Sequence, residues 1–157
     1  MTWLRWVNLA LAVLTVLAPT AHVLELPNKL SLDANLWLAV QQHLYQGWGP
    51  FLGGPTEIGA LATSLILAYV RRRSSTVLWP TLISSAGYAC MIAVFVVLNS
   101  PINAAVSSWT ATTLPPNWEA YRLRWETGHA VAFLLSLISL IALTWAYAKE
   151  RSIATVP

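Results

Sequence analysis

The chain has 157 residues, 57% of them hydrophobic and only 10% charged, with a formal net charge of +3. A soluble domain carries about 25% charged residues, so this one has too few to solvate the surface of a water-soluble bundle. The basic excess gathers at the ends of apolar runs and describes no nucleic-acid surface.

The first apolar run extends from Trp6 to Leu26 behind Arg5, and a helix is predicted over 4–26. No small-x-small cleavage signature follows it, so it reads as a retained membrane helix rather than a signal peptide. In the next stretch, Pro27 to Gly54, Asp33 is placed to cap a helix over 33–48. Its apolar residues Leu36, Trp37, Val40 and Leu44 recur at helical spacing, so this amphipathic helix is expected to lie on the membrane surface or cover the bundle. Ile58 to Val70 covers only roughly 20 Å of a hydrocarbon core about 30 Å thick. That helix must therefore start earlier, over 52–72, which draws Glu57 toward the hydrocarbon. A third helix is predicted over 77–100, where Cys90 reads as a small core residue. Pro101, Pro115 and Pro116 are expected to break helices in the connection that follows, and a fourth helix occupies 118–148. The chain reads as one all-α domain, a four-transmembrane-helix bundle with an extracytoplasmic amphipathic helix.

Arg5, Arg71 to Arg73, Lys149 and Arg151 fall on one side if the chain crosses four times. Positive residues favour the cytoplasmic side. Both termini are therefore expected in the cytoplasm, and the protein in a membrane of the bacterial cytoplasmic type. Trp6, Trp79 and Trp145 sit near the same boundary, where indole rings favour the interface.

The opposite side collects His22, His43, His129, Glu25, Glu57, Asn99, Asn103, Arg122 and Glu126. Counted from the cytoplasmic ends, His22 lies roughly 24 Å up its helix, Glu57 roughly 20 Å and His129 roughly 28 Å. Ionisable groups at such depth are costly unless they face the bundle interior and find partners. His22-x-x-Glu25 and Glu126-x-x-His129 each place two side chains on one helix face. A Glu-x-x-His pair is the arrangement of carboxylate-bridged metal sites in bundles. His22, Glu25, Glu126 and His129 could thus supply four ligands to iron, copper, manganese or zinc. Ion pairing competes with that reading: Arg122 with Glu126, and Glu25 with Lys29, both at i,i+4 spacing. His43 has no partner at ligand spacing and reads as a surface histidine. Trp118, Arg122, Trp125 and His129 form one stripe, either a wall for a flat, partly anionic molecule or an interfacial aromatic belt.

Several segments together resemble the anthrone-oxygenase-like family of small four-helix membrane proteins. They are His22-Val-Leu-Glu25-Leu-Pro27-Asn-Lys29, Val40-Gln-Gln-His-Leu-Tyr45, Asn99-Ser-Pro101-Ile-Asn103, and Trp118 with Arg122-Leu-Arg-Trp125-Glu126-Thr-Gly-His129. The resemblance implies oxidation of an anthrone to an anthraquinone, hence a hydrophobic aromatic substrate and molecular oxygen. The expectation is a membrane oxidoreductase acting on a lipophilic aromatic or quinol-like molecule that enters from the lipid. Arg122, Glu126 and His129 would be catalytic, and Trp118, Trp125 and Asn103 would contact substrate. Glu57 and Asn103 could also support the iron, copper or zinc centre. The alternative is a non-enzymatic lipid- or small-molecule-binding protein, or an accessory subunit, whose polar cluster is structural.

Overall fold

The computed structural model describes the backbone of residues 2–154 and the side chains of residues 2–150. The expected charge of Arg151 at the basic end therefore lies outside the described side chains. No strand occurs among the described residues.

Helix α1, Thr2–Leu30, runs through Pro19 and Pro27 and ends four residues beyond the predicted 26. A terminal helical carbonyl has no intrahelical donor. Here Arg122 Nη1 donates to Lys29 O at 3.2 Å and Leu32 O at 3.1 Å, so a side chain from the far end of the sequence closes α1. Helix α2, Ala34–Ala39, opens as expected, with Asp33 accepting from the Leu36 amide at 2.9 Å. It passes into a π-helical turn, Val40–Leu44, and stops short of the predicted 48. Gly47 follows with φ 89°, a left-handed conformation that glycine adopts without steric cost. A second π-helical turn, Gly49–Gly53, leads into α3, Gly54–Val70. Trp37 and Leu38 of α2 are buried against Ile102, Val106 and Trp125. The segment therefore covers the end of the bundle, with Leu36 and Leu44 left exposed.

Helix α4 is Ser75–Val94. A π-helical turn, Phe95–Asn99, carries it into α5, Ser100–Ser108. The expectation that the third helix ends at 100 and that Pro101 breaks it is thus corrected. Proline removes the donor to the carbonyl four residues back. That carbonyl, Val97 O, instead accepts from Arg124 Nη2 at 2.6 Å, and the wide turn makes room for the ring. Only the segment between Ser108 and Trp118 connects α5 to α6, Trp118–Ala154.

Helices α1, α3, α4 and α6 pack as a closed ring, α1 on α3, α3 on α4, α4 on α6 and α6 on α1. Ala12, Ala60, Tyr88, Met91 and Leu143 form its centre. At Gly87 a Cβ would collide with Ser139 and approach Leu135 O to 3.2 Å, so glycine sets how closely α4 meets α6. Asn8, absent from the sequence-based site, is fully buried and satisfied. Its Nδ2 donates to Thr63 Oγ1 at 2.8 Å and Ser64 Oγ at 3.0 Å, and its Oδ1 accepts from Tyr147 at 2.6 Å. Cys90, expected in the core, is exposed.

Four helical stretches are long and apolar enough to cross a bilayer: Thr2–Leu30, Ala34–Val70, Ser75–Ser108 and Trp118–Glu150. Burial is inverted relative to a water-soluble bundle. Leu24, Ile58, Ile83, Val96 and Ile141 are exposed, whereas Asn8, Thr15, Ser64, Thr81, Ser84 and Ser139 are buried. At one end, Arg5 and Arg71 both pair with Glu150, the latter at 2.6 Å. These pairs join the start of α1, the α3–α4 turn and the end of α6 into one basic end, as the charge pattern predicts. The α1–α2 and α5–α6 connections lie at the opposite, distal end.

Candidate functional site

The distal half of α1 presents His22 and Lys29, seven residues apart and so two turns along one face. Both are 3% exposed. On α6, Trp125, Glu126 and His129 face them. The His22 and His129 rings lie 4.0 Å apart at 37°. Trp125 packs edge-on against both, at 4.8 Å from His22 and 4.2 Å from His129. Tyr45 and Trp48 close the other side of His22 at 4.6 and 5.6 Å. The sequence-based convergence of His22 with His129 is therefore present. Beside His129, Gly128 lets Asn99 lie against α6, since a Cβ there would meet Asn99 Cγ at 2.7 Å. Asn99 in turn donates to Trp125 O at 2.9 Å, fixing the start of this turn of α6 against the π-helical segment.

Lys29 stands at the centre of the cluster. Its ammonium donates to Glu126 Oε2 at 2.9 Å and lies 3.3 Å from His22 Nδ1. It sits 5.1 Å above the Trp125 ring and 5.5 Å above the Tyr45 ring. Glu25 is 4.0 Å from Lys29 and accepts a hydrogen bond from the Tyr45 hydroxyl. The expected Glu25–Lys29 pair is thus present but secondary. The expected Arg122–Glu126 pair is not formed: Arg122 caps α1 and meets Glu119 at 3.6 Å, while Lys29 takes Glu126. An ammonium group donates only, so His22 Nδ1 accepts from it and the ring proton of neutral His22 resides on Nε2.

Three of the four residues expected to bind a metal are therefore engaged elsewhere. Glu126 and His22 hold the Lys29 ammonium, and Glu25 holds Tyr45. Among the described residues, no group of three or more His, Cys, Asp or Glu is disposed to hold a metal ion. As arranged, the donor set does not fit one, because a second cation would share the space and the carboxylate already given to Lys29.

Next to the cluster opens a cavity of about 840 Å³, lined by His22, His129, Tyr45, Trp48, Phe95 and Glu57 among others. His129 and Glu57 make no hydrogen bond to any described residue, which leaves both groups available to the cavity. Asn103 also lines it. Trp125 Nε1 donates to Asn103 Oδ1 at 2.7 Å, so the Asn103 amide is left with its NH2 group to offer. Gln41 contributes a second donor, a buried Nε2 without a hydrogen-bond partner among the described residues.

Of the tryptophan–arginine stripe expected to form a wall, only His129 lines the cavity. Trp118 instead lies 5.5 Å from Trp37 and 4.5 Å from the Arg122 guanidinium, under the α2 cover. Trp125 acts behind the wall by orienting Asn103. The aromatic lining comes from Tyr45, Trp48 and Phe95, which carry no periodic signal. Tyr45 was visible only within the family-like segment, and Gln41 beside it. His43, read as a surface residue, is exposed yet borders the cavity mouth.

No family model, no curated protein and no solved structure matches this chain.

Proposed function

We propose that the chain is an integral membrane oxidoreductase whose distal cavity binds a flat, lipophilic hydroxyaromatic or quinol-like molecule and oxidises it with molecular oxygen. The observation that carries this reading is the pairing of a largely apolar, ligand-sized cavity with an imidazole, His129, that has no hydrogen-bond partner among the described residues. The inverted burial supports the membrane assignment, since lipid-facing surface is apolar and buried polar groups must satisfy one another. The resemblance to anthrone-oxygenase-like proteins supports the substrate class.

In this reading the substrate carries a methylene between aromatic rings and a conjugated oxygen. His129 accepts a methylene proton, and the negative charge spreads onto that oxygen. The Asn103 and Gln41 amide groups donate to it, a stabilisation that grows as the charge develops. Molecular oxygen is the oxidant: the methylene carbon loses two hydrogens and gains one oxygen atom, and the second oxygen atom leaves as water. Lys29 keeps His22 as a hydrogen-bond donor through Nε2. An iron, copper or zinc ion on His22, Glu25, Glu126 and His129 would require Lys29 to withdraw, so no step is routed through one. A binding protein without turnover is the second reading, favoured by the same cavity.

Purified protein titrated with an anthrone under argon should show saturable quenching of tryptophan fluorescence, because Trp48 lines the cavity. Admitting oxygen should then consume one O2 per ketone formed. Saturable quenching with no oxygen uptake leaves the binding protein as the answer, and absence of both removes the substrate class.

Orientation is proposed from the same basic end. Reporter fusions after Arg72 and at the C-terminus are expected to read cytoplasmic, and one at Ser108 external, by the positive-inside tendency. A cytoplasmic signal at Ser108 overturns the four-crossing topology.

A further inference from the structure

Five of the nine basic residues in the sequence, Arg5, Arg71, Arg72, Arg73 and Lys149, belong to the basic end among the described side chains, against a single acidic one, Glu150. Glu150 is shared by Arg5 and Arg71, so even the ion-paired core of this end keeps an unbalanced positive charge. A second cavity of about 310 Å³ opens here between α1 and α6, lined by Thr2, Arg5, Trp6, Leu9, Thr144 and Tyr147 among others. It has two chemically distinct parts. Arg5 and Thr2 stand at the terminus of α1, where a polar headgroup would lie. Trp6 and Leu9 line the wall one and two turns deeper, where an acyl chain would lie. Trp3, Trp6, Trp79 and Trp145 are exposed at this end, at the level where indole rings settle between hydrocarbon and headgroups.

We infer that this cavity is a binding site for one anionic phospholipid, its phosphate held by Arg5 and its chain lying along Leu9 between α1 and α6. The choice of an anionic lipid follows from charge complementarity. The guanidinium offers several donors in a fork that matches phosphate oxygens, and the neighbouring Arg72, Arg73 and Lys149 raise the local potential. A zwitterionic headgroup would bring a quaternary ammonium into the same field and be disfavoured. The inference rests on the membrane reading but not on the oxidase reading, whose cavity lies at the other end of the bundle.

The test uses the full chain in detergent, supplied with phosphatidylglycerol or phosphatidylcholine and examined by native mass spectrometry. One phosphatidylglycerol per chain should be retained, with at least tenfold preference over phosphatidylcholine. Excess inorganic phosphate should not displace it, because the acyl chain contributes. Arg5→Gln should abolish the preference. Arg5→Gln also breaks the pair with Glu150, so Leu9→Trp serves as the second variant: it fills the cavity, leaves that pair intact, and should also lose the lipid. Arg124→Gln at the distal end should retain it. Equal retention of both lipids by the wild type, or undiminished selectivity in Leu9→Trp, overturns the site. A protein that stays soluble and monodisperse without detergent overturns the membrane reading itself.

Discussion

Lys29→Met is expected to destabilise the protein by about 3–5 kcal/mol, the loss typical when one partner of a buried ion pair is removed and the other charge is left behind. The abandoned group is the Glu126 carboxylate. Its side chain is 3% exposed, its Oε2 has the Lys29 ammonium at 2.9 Å, and its Oε1 is buried with no hydrogen-bond partner among the described residues. The nearby Arg122 guanidinium is engaged by the carbonyls of Lys29 and Leu32 and makes no ion pair with Glu126. Glu126→Gln should be milder. It leaves Lys29 with Glu25 at 4.0 Å and His22 at 3.3 Å. Removing both charges in Lys29→Met/Glu126→Leu should recover much of the loss, because two well-packed apolar groups avoid the desolvation of two ions. Unfolding in detergent across this cycle gives the coupling energy directly. Arg122→Ala should cost about 1.5–3 kcal/mol, the usual worth of hydrogen bonds from a charged donor. Its loss should add independently to that of Glu126→Gln. Strong coupling between Arg122 and Glu126, with none between Lys29 and Glu126, would restore the i,i+4 pair that helical spacing alone suggests.

That contrast marks where the sequence stops being legible. Segment length, apolar content and the clustering of arginines are properties of short windows, so the four long apolar helices and the shared basic end could be read directly. The partner of Glu126 could not. Spacing on one helix places Arg122 within reach, but the open carbonyls at the end of α1 compete for the same guanidinium and win. Pro101 was misread for a related reason. Proline orphans a carbonyl, and whether the helix survives depends on a donor elsewhere, here Arg124 on another helix. The stripe on α6 correctly shares a face, yet a stripe does not say what covers it. Trp37 covers Trp118, and the cavity opens about three turns further along α6, at His129. Asn8 left no trace because a single amide in an apolar run has no period. Only the fold brings Thr63, Ser64 and Tyr147 around it.

His129→Ala is expected to lower the rate of oxygen-dependent oxidation by about 10²–10⁴-fold, the range for losing a positioned general base. The argument for His129 over its neighbour is one of lone pairs. In neutral imidazole only one nitrogen can accept a proton. At His22 that nitrogen, Nδ1, already faces the Lys29 ammonium at 3.3 Å. His129 makes no hydrogen bond to a described residue and lines the cavity, so no described donor competes for its lone pair. His22→Gln, which keeps a donor, should therefore retain most of the rate. Asn103→Leu should reduce kcat more than it raises KM, since its NH2 group meets charge that develops only as the proton leaves. Glu25→Gln discriminates the remaining alternative. If proton abstraction is the work of His129 alone, Glu25→Gln changes the rate only a few-fold, because Glu25 contacts Tyr45 and Lys29 rather than the cavity's reactive side. If a transition metal on the two His/Glu pairs does the chemistry, Glu25→Gln and His129→Ala should lose metal and activity together. Metal content measured on the same samples as oxygen uptake decides between them. Stoichiometric iron, copper or zinc that vanishes with either variant would displace the general-base mechanism.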